Sequence, residues 1–297
     1  MKKKKVKRRV GLWIALAIAA CALVFTGVMA LNAVTLHLMR ATVYIEDLPP
    51  AFEGKTILYA ADLDLKSSAD AKRAATVFDR LQVLMPDLLV LGGDYASPTL
   101  TDLLNQSPPA NAPDFRRDFF YYISDFRTTL GKVMIAAPDD LQSGSLEDLA
   151  RETGFTLLNR SAATLKLGSD AVHIVDLGQD YSGFSGLSRS FKQHDCVIAI
   201  AWSPAQFPAV MISEAKDSGH WVDLVLTGHT HGGQINLFGH SILSLDARET
   251  QYLCGWNRET GVPMLTTSGV GCEGVDLRLG SQAEVWLITL TANRRQA

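Results

Sequence analysis

Apolar residues fall along the chain in one long block and many short runs. The long block, residues 10–33, carries no charge and is dominated by Ala, Leu, Val and Ile. It is long enough to cross a bilayer core as a helix. The short runs are KTILYAA at 55–61, LLVL at 88–91, KVMIAA at 132–137, CVIAIA at 196–201 and VDLVL at 222–226, with further runs at 263–268 and 283–290. Bounded by Gly, Pro and Asp, these read as buried strands. Between them, 68–85 has amphipathic helical spacing behind a Ser/Asp-rich start, and 114–129 puts Phe119, Phe120 and Ile123 on one apolar face. A helix over 145–153 opens with a capping box from Ser145 to Asp148, and another covers 208–217. From Phe155 the texture changes to alternating strands, TLLN, ATLKL and AVHIVDL, while 97–113 is a polar, Pro/Asn-rich loop. Strand, helix and strand over 55–91 form a βαβ unit whose site belongs at the carboxyl edge of its sheet. With no repeat or internal linker, the pattern predicts one α/β body of stacked sheets covered by helices.

Charge divides the chain differently. Seven of the 28 Lys and Arg lie within residues 2–9, so 21 face 31 Asp and Glu in the remainder, a surplus of ten acidic groups. An acidic body argues against a nucleic-acid partner. The basic head, residues 1–9, predicts a cytoplasmic N-terminus ahead of a membrane-spanning signal-anchor at 10–33. A stalk at 34–45 then leads to the main domain at 46–297, outside the cytoplasm. A cleaved signal peptide is the rival reading, because Val28-Met29-Ala30 passes as a cleavage site. Of four cysteines, Cys21 lies in the apolar block, and Cys196, Cys254 and Cys272 lie in the body. No Cys-x-x-Cys pair exists, which excludes a zinc ribbon. A Cys254–Cys272 disulfide is open in an oxidising compartment, with buried free thiols the favoured reading.

The chemistry concentrates at strand ends. Gly228-His229-Thr230-His231-Gly232-Gly233-Gln234 follows the 222–226 run and sets two imidazoles on a tight, glycine-fenced loop. Neutral imidazole is the commonest metal-binding side chain. The other strands end in Asp62-x-Asp64, Gly93-Asp94, Pro138-Asp139-Asp140 and Trp202-x-Pro204.

This order and spacing resemble the calcineurin-like metallophosphoesterases, particularly their bacterial membrane-anchored or exported branch. The resemblance runs from about Glu46 to Leu290 and includes LPPAFEGKTI, GFTLLNRSA, YLCGW, TTSGVG and LRLGSQAEVWLITL. It implies a four-layer α/β/β/α sandwich, here preceded by one transmembrane helix, with two metals at the carboxyl ends of the strands. Two such ions clamp a phosphate and present a deprotonated water to phosphorus. Carried over residue by residue, the resemblance implies metal ligands at Asp62, Asp94, His229 and His231. Asp64 stands where the family has histidine, Pro138 where it has asparagine, Asp139 at its catalytic histidine and Trp202 at a further histidine ligand. An indole offers only an N–H donor.

The metal set expected is therefore Asp62, Asp64, Asp94, His229 and His231, holding one or two divalent ions among Mn²⁺, Mg²⁺, Fe²⁺, Zn²⁺ and Ca²⁺. Asp139 or Asp140 are substitutes for the lost ligands of the second ion. Three readings follow. One is a membrane-anchored phosphoesterase acting on a phosphorylated small molecule or envelope lipid. The second is an inactive protein of the same fold that binds a phosphate-containing ligand or partner. The third is a metal-free structural domain.

Overall fold

Alternation within the short strands sends successive side chains to opposite faces, and both faces are buried. The computed structural model describes residues 2–105, 112–142, 146–179, 184–237, 240–241, 245–258 and 261–295. In chain order its strands are β1 (Leu36–Tyr44), β2 (Thr56–Ala60), β3 (Leu88–Leu91), β4 (Gly131–Met134), β5 (Thr156–Leu157), β6 (Ala162–Leu167), β7 (Asp170–Asp176), β8 (Val197–Ala201) and β9 (Leu224–Thr227). A short hairpin, β10 (Asn236–Leu237) with β11 (His240–Ser241), precedes β12 (Gly255–Asn257), β13 (Met264–Thr266) and β14 (Ala283–Thr291). The helices are α1 (Lys2–Val34), α2 (Ser68–Leu81), α3 (Leu100–Asn105), α4 (Ala112–Tyr122), α5 (Pro138–Gln142), α6 (Leu146–Thr153), α7 (Ser185–Ser188), α8 (Phe207–Ile212) and α9 (Ala247–Gln251).

One six-stranded sheet has the order β1-β14-β2-β3-β4-β5 and the other β12-β13-β9-β8-β7-β6. Strands β2 to β5 are parallel, as are β13, β9, β8 and β7. Ile57 and Tyr59 of β2 meet Ile198, Ile200, Leu224 and Leu226 in a core between the sheets. Leu58 and Ala60 face the other way, onto Phe78 of α2 and Phe119 of α4. On the far side Val197 and Ala199 pack with Phe207, Val210 and Trp221. Three cores separate four layers, so the fold is the expected α/β/β/α sandwich.

Several boundaries differ from the sequence reading. The expected stalk at 34–45 is strand β1, paired in parallel with β14 from Leu36 through Tyr44. Its burial does not alternate and Arg40 is exposed, as suits an edge strand. The helix expected over 114–129 ends at Tyr122, and the one expected over 208–217 ends at Ile212, where Ser213 turns extended. Ser145, the expected cap of α6, lies outside the described residues, as does 106–111 of the 97–113 loop. Cys254 and Cys272 are both free thiols, Cys254 exposed and Cys272 buried, so the disulfide option is not taken.

Within α1, Gly11–Val34 forms one apolar stretch of 24 residues, long enough to cross a membrane and almost wholly unburied by protein. Its last turns are the exception. Met29 and Ala33 are buried, the Arg278 backbone N–H donates to the Met29 carbonyl at 3.0 Å, and the Asn32 amide donates to the Arg278 carbonyl at 3.4 Å.

Candidate metal centre

Parallel strands deliver their carboxyl ends to one edge, and there the backbone is strained. Nine non-glycine residues among those described have positive φ, and five of them are Asp62 (54°), Asp64 (48°), Asp94 (54°), His229 (73°) and His231 (51°). Left-handed backbone is costly for such residues and persists where surrounding structure enforces it. The strain thus falls on the residues singled out as ligands. Two glycines show how closely the strand-end loops are pressed together. A Cβ at Gly228 would lie 2.6 Å from Asp62 Oδ1, and one at Gly271 would lie 2.1 Å from the Leu63 carbonyl oxygen.

The five residues converge, but not equally. Asp62 is fully buried and both its oxygens accept from the His229 backbone N–H, at 3.0 and 2.9 Å. Burial, with the Asp94 charge nearby, raises its pKa to about 8 against the opposing pull of that N–H. Asp64 and His231 are also buried, with Asp64 Oδ2 and His231 Nδ1 3.5 Å apart. Neither atom has a hydrogen-bond partner. Burial, then the positive charges of Arg278 and His229, holds His231 well below its usual pKa, so its imidazole is neutral. Burial raises Asp64, and the carboxylates of Asp62 and Asp94 add to the effect.

The other side of the edge is differently furnished. Asp94 Oδ2 accepts from Trp202 Nε1–H at 2.9 Å and lies 3.3 Å from His229 Nδ1. The Trp202 ring lies over the His229 ring, centroids 4.2 Å apart, and His229 Nε2 is 3.6 Å from Glu249 Oε1. Burial works against the His229 cation, but Asp94, Asp62 and Glu249 outweigh it and lift the pKa to about 9. Asp140 is turned away from the edge. Its carboxylate accepts the backbone N–H groups of Asp94, Tyr95 and Ala137 and lies 3.7 Å from Arg116, so it braces the loops. Asp139 instead lines the cleft.

That cleft, of about 280 Å³, is bounded by Asp64, Asp94, Pro138, Asp139, Trp202, His229, His231 and Glu273. Two supporting residues escaped the sequence reading. Glu249 belongs to a capping box with Asp246, a signal that reads as helix start and conceals that its other oxygen accepts from Ser203 Oγ beside His229. Arg278 is wholly buried below the loops, and its guanidinium donates to the carbonyls of His231, Ser268, Gly269 and Gly271. A lone arginine in the apolar LRLG run was the available signal.

No protein-family model matches the chain. Curated proteins do. UDP-2,3-diacylglucosamine pyrophosphatase LpxG of Chlamydia trachomatis is 26% identical over 274 residues, covering 77% of this chain and 79% of that protein. An uncharacterized metallophosphoesterase of Aquifex aeolicus is 25% identical over 265 residues, covering 86% and 92%. A transmembrane protein with metallophosphoesterase domain from Danio rerio is 21% identical over 262 residues, covering 83% and 55%. Over most of its length the chain is thus similar to proteins named as metallophosphoesterases. Among solved structures, phosphopantetheinyl hydrolase PptH of Mycobacterium tuberculosis matches 83% of this chain at 10% identity and a TM-score of 0.40, too distant to bear on the site.

That similarity implies dependence on a divalent metal. As they stand, no three His, Cys, Asp or Glu side chains among the described residues converge into a ready-made ion cage. The two sides of the edge nevertheless fit an ion differently. On the first, Asp64 Oδ2 and His231 Nδ1 are buried 3.5 Å apart without a hydrogen-bond partner, and a cation would give both atoms one. On the second, the Asp94 oxygen is already met by an indole N–H, both His229 nitrogens face carboxylates, and Pro138 has no side-chain donor atom. The first side thus offers an ion two unpartnered atoms, whereas on the second the candidate atoms lie against protein groups.

Proposed function

We propose that this metallophosphoesterase is a membrane-anchored, extracytoplasmic hydrolase of phosphomonoesters or phosphodiesters that works with one divalent ion. Asp64, Asp94 and His231 hold the ion, with Asp62 behind them. The reading is carried by the unpartnered, buried pair Asp64 Oδ2 and His231 Nδ1 on the cleft wall. The bound ion supplies positive charge for phosphate oxygens and acidifies a water. His229, held between Asp94 and Glu249, lines the wall against which a phosphate lies. The Trp202 ring covers His229 and keeps water from that side. Asp139, on the same cleft, is the carboxylate we assign to the leaving oxygen.

The substrate class we assign is a phosphorylated small molecule or an envelope lipid carrying a phosphate or pyrophosphate. The name of the LpxG relative supports it, as does a helix of membrane-spanning length docked beside the site. The seven basic residues before the span support a cytoplasmic N-terminus. Protease added to intact cells should digest the body while leaving the head; protection of the body would reverse that orientation.

A second reading, a protein that binds phosphate without cleaving it, is favoured by Trp202 on Asp94 and by Pro138. Turnover of bis(4-nitrophenyl) phosphate and 4-nitrophenyl phosphate by the full chain with Mn²⁺ separates the two. Turnover lost in Asp94→Ala, and kept in an exposed variant such as Lys166→Ala, supports hydrolysis. Bound Mn²⁺ with no turnover of either ester supports the second reading.

A further inference from the structure

A second cavity, of about 110 Å³, lies where the end of α1 meets the body. Ala33, Val34 and Leu36 form one wall, and Leu65 with Ala74 and Val77 of α2 forms the other. Asp64 lines this groove and also the cleft of the candidate metal centre, so the two spaces share a wall residue. The family histidine expected at that position is bulkier and would thicken the partition. Val34, the last residue of the apolar stretch, lines the groove, so a bilayer crossed by α1 would end beside it. Its wall is fixed there by the hydrogen bonds between Arg278 and the last turns of α1. Of the charged groups beside it, Lys66 pairs with Asp276 and Arg73 with Asp70, which leaves the Asp64 carboxyl at the end shared with the cleft.

From this shared wall and the groove's place at the end of the apolar stretch we infer that the groove is an acyl-chain subsite. A phosphate-bearing lipid enters sideways from the bilayer, with the first part of one acyl chain between α1 and α2 and its phosphate at the Asp64 end of the cleft. The groove deepens the hydrolase reading by naming a lipid substrate class, and only its phosphate end rests on that reading. A chain leaving lipid for the groove exchanges one apolar surrounding for another, so the hydrophobic effect adds little affinity. The groove fixes position and favours lipid esters over soluble ones.

The test is photolabelling of the full chain in phosphatidylcholine nanodiscs that contain phosphatidic acid with a diazirine near the acyl carbonyl, with adducts mapped by mass spectrometry. Adducts should appear on Leu65 and Val77 of the body, and Val77→Trp, which fills the groove, should reduce them about tenfold. Val34→Trp, on an exposed helix position that cannot unfold the body, should reduce them as well. Adducts confined to residues 11–34, or body adducts unchanged in both variants, would overturn the subsite. Turnover of a soluble aryl phosphodiester by the unaltered chain is read alongside. Groove adducts without turnover remove the hydrolase reading alone, and turnover without groove adducts removes the subsite alone.

Discussion

The two sides of the strand-end edge have the same backbone and different chemistry. On the β2 and β9 side, Asp62, Asp64 and His231 sit on strained, glycine-packed loops and leave two polar atoms unpartnered. Asp94, at the end of β3, and His229, two residues before His231 on the β9 loop, keep the same left-handed backbone, but Asp94 Oδ2 accepts from Trp202 Nε1–H and lies within hydrogen-bond reach of His229 Nδ1. Under the one-ion proposal, the difference teaches that strand-end backbone can be kept while an indole occupies a carboxylate oxygen. Unpartnered atoms, more than motif letters, then mark the side proposed for the ion.

The strongest way to break the comparison is to spoil the packing on the first side. Gly271→Ala drives a Cβ into the Leu63 carbonyl and should cost about 3 kcal/mol or more. Gly168→Ala, at positive φ in open space, should cost only about 1 kcal/mol. Equal losses in thermal unfolding would mean that the close approach at Gly271 is relaxed in solution. The second side is tested by restoration. Pro138→Asn, Asp139→His and Trp202→His together should raise turnover about a hundredfold, the low end of what a positioned acid or base supplies. No rise in phosphodiester assays would place the difference elsewhere.

A half-buried carboxylate remote from the edge, Asp223, sharpens the contrast. Asp223 accepts the Val197 N–H at 2.8 Å, yet burial, with Asp47 and Glu46 nearby, raises its pKa to about 7. The unfolded value is about 4, so the fold favours the protonated form and loses stability as pH rises from about 4 to 7. Asp223→Asn should therefore stabilise the chain by roughly 2 kcal/mol at pH 8 and leave it unchanged at pH 4, as read by denaturant titration. A gain independent of pH would show that charge is not the cause. Smallest is Trp202→Phe, which removes the indole N–H from Asp94 and should cost about 1 kcal/mol in chelator; no loss would mean that the bond is not made.

Much of this was legible in the sequence. The runs ending in Asp62, Asp94 and His229 announced parallel strands with chemistry at one edge, because buried apolar strands and glycine loops are local signals. Strand β1 was not legible: LHLMRATVY does not alternate, and its partner β14 lies at the other end of the chain, so only tertiary pairing defines it. Within Pro138-Asp139-Asp140 the letters do not say which carboxylate faces the cleft; the turn around Ala137 decides that Asp140 faces inward. Glu249 and Arg278 act through side-chain atoms that a cap signal and an apolar run conceal.

The most direct test of a half-filled site is ion stoichiometry. Calorimetric titration of the metal-stripped full chain with Mn²⁺ should give one ion per chain, none in Asp64→Ala/His231→Ala, and two in the restored triple variant. Two ions in the unaltered chain, or none at millimolar Mn²⁺, would contradict it.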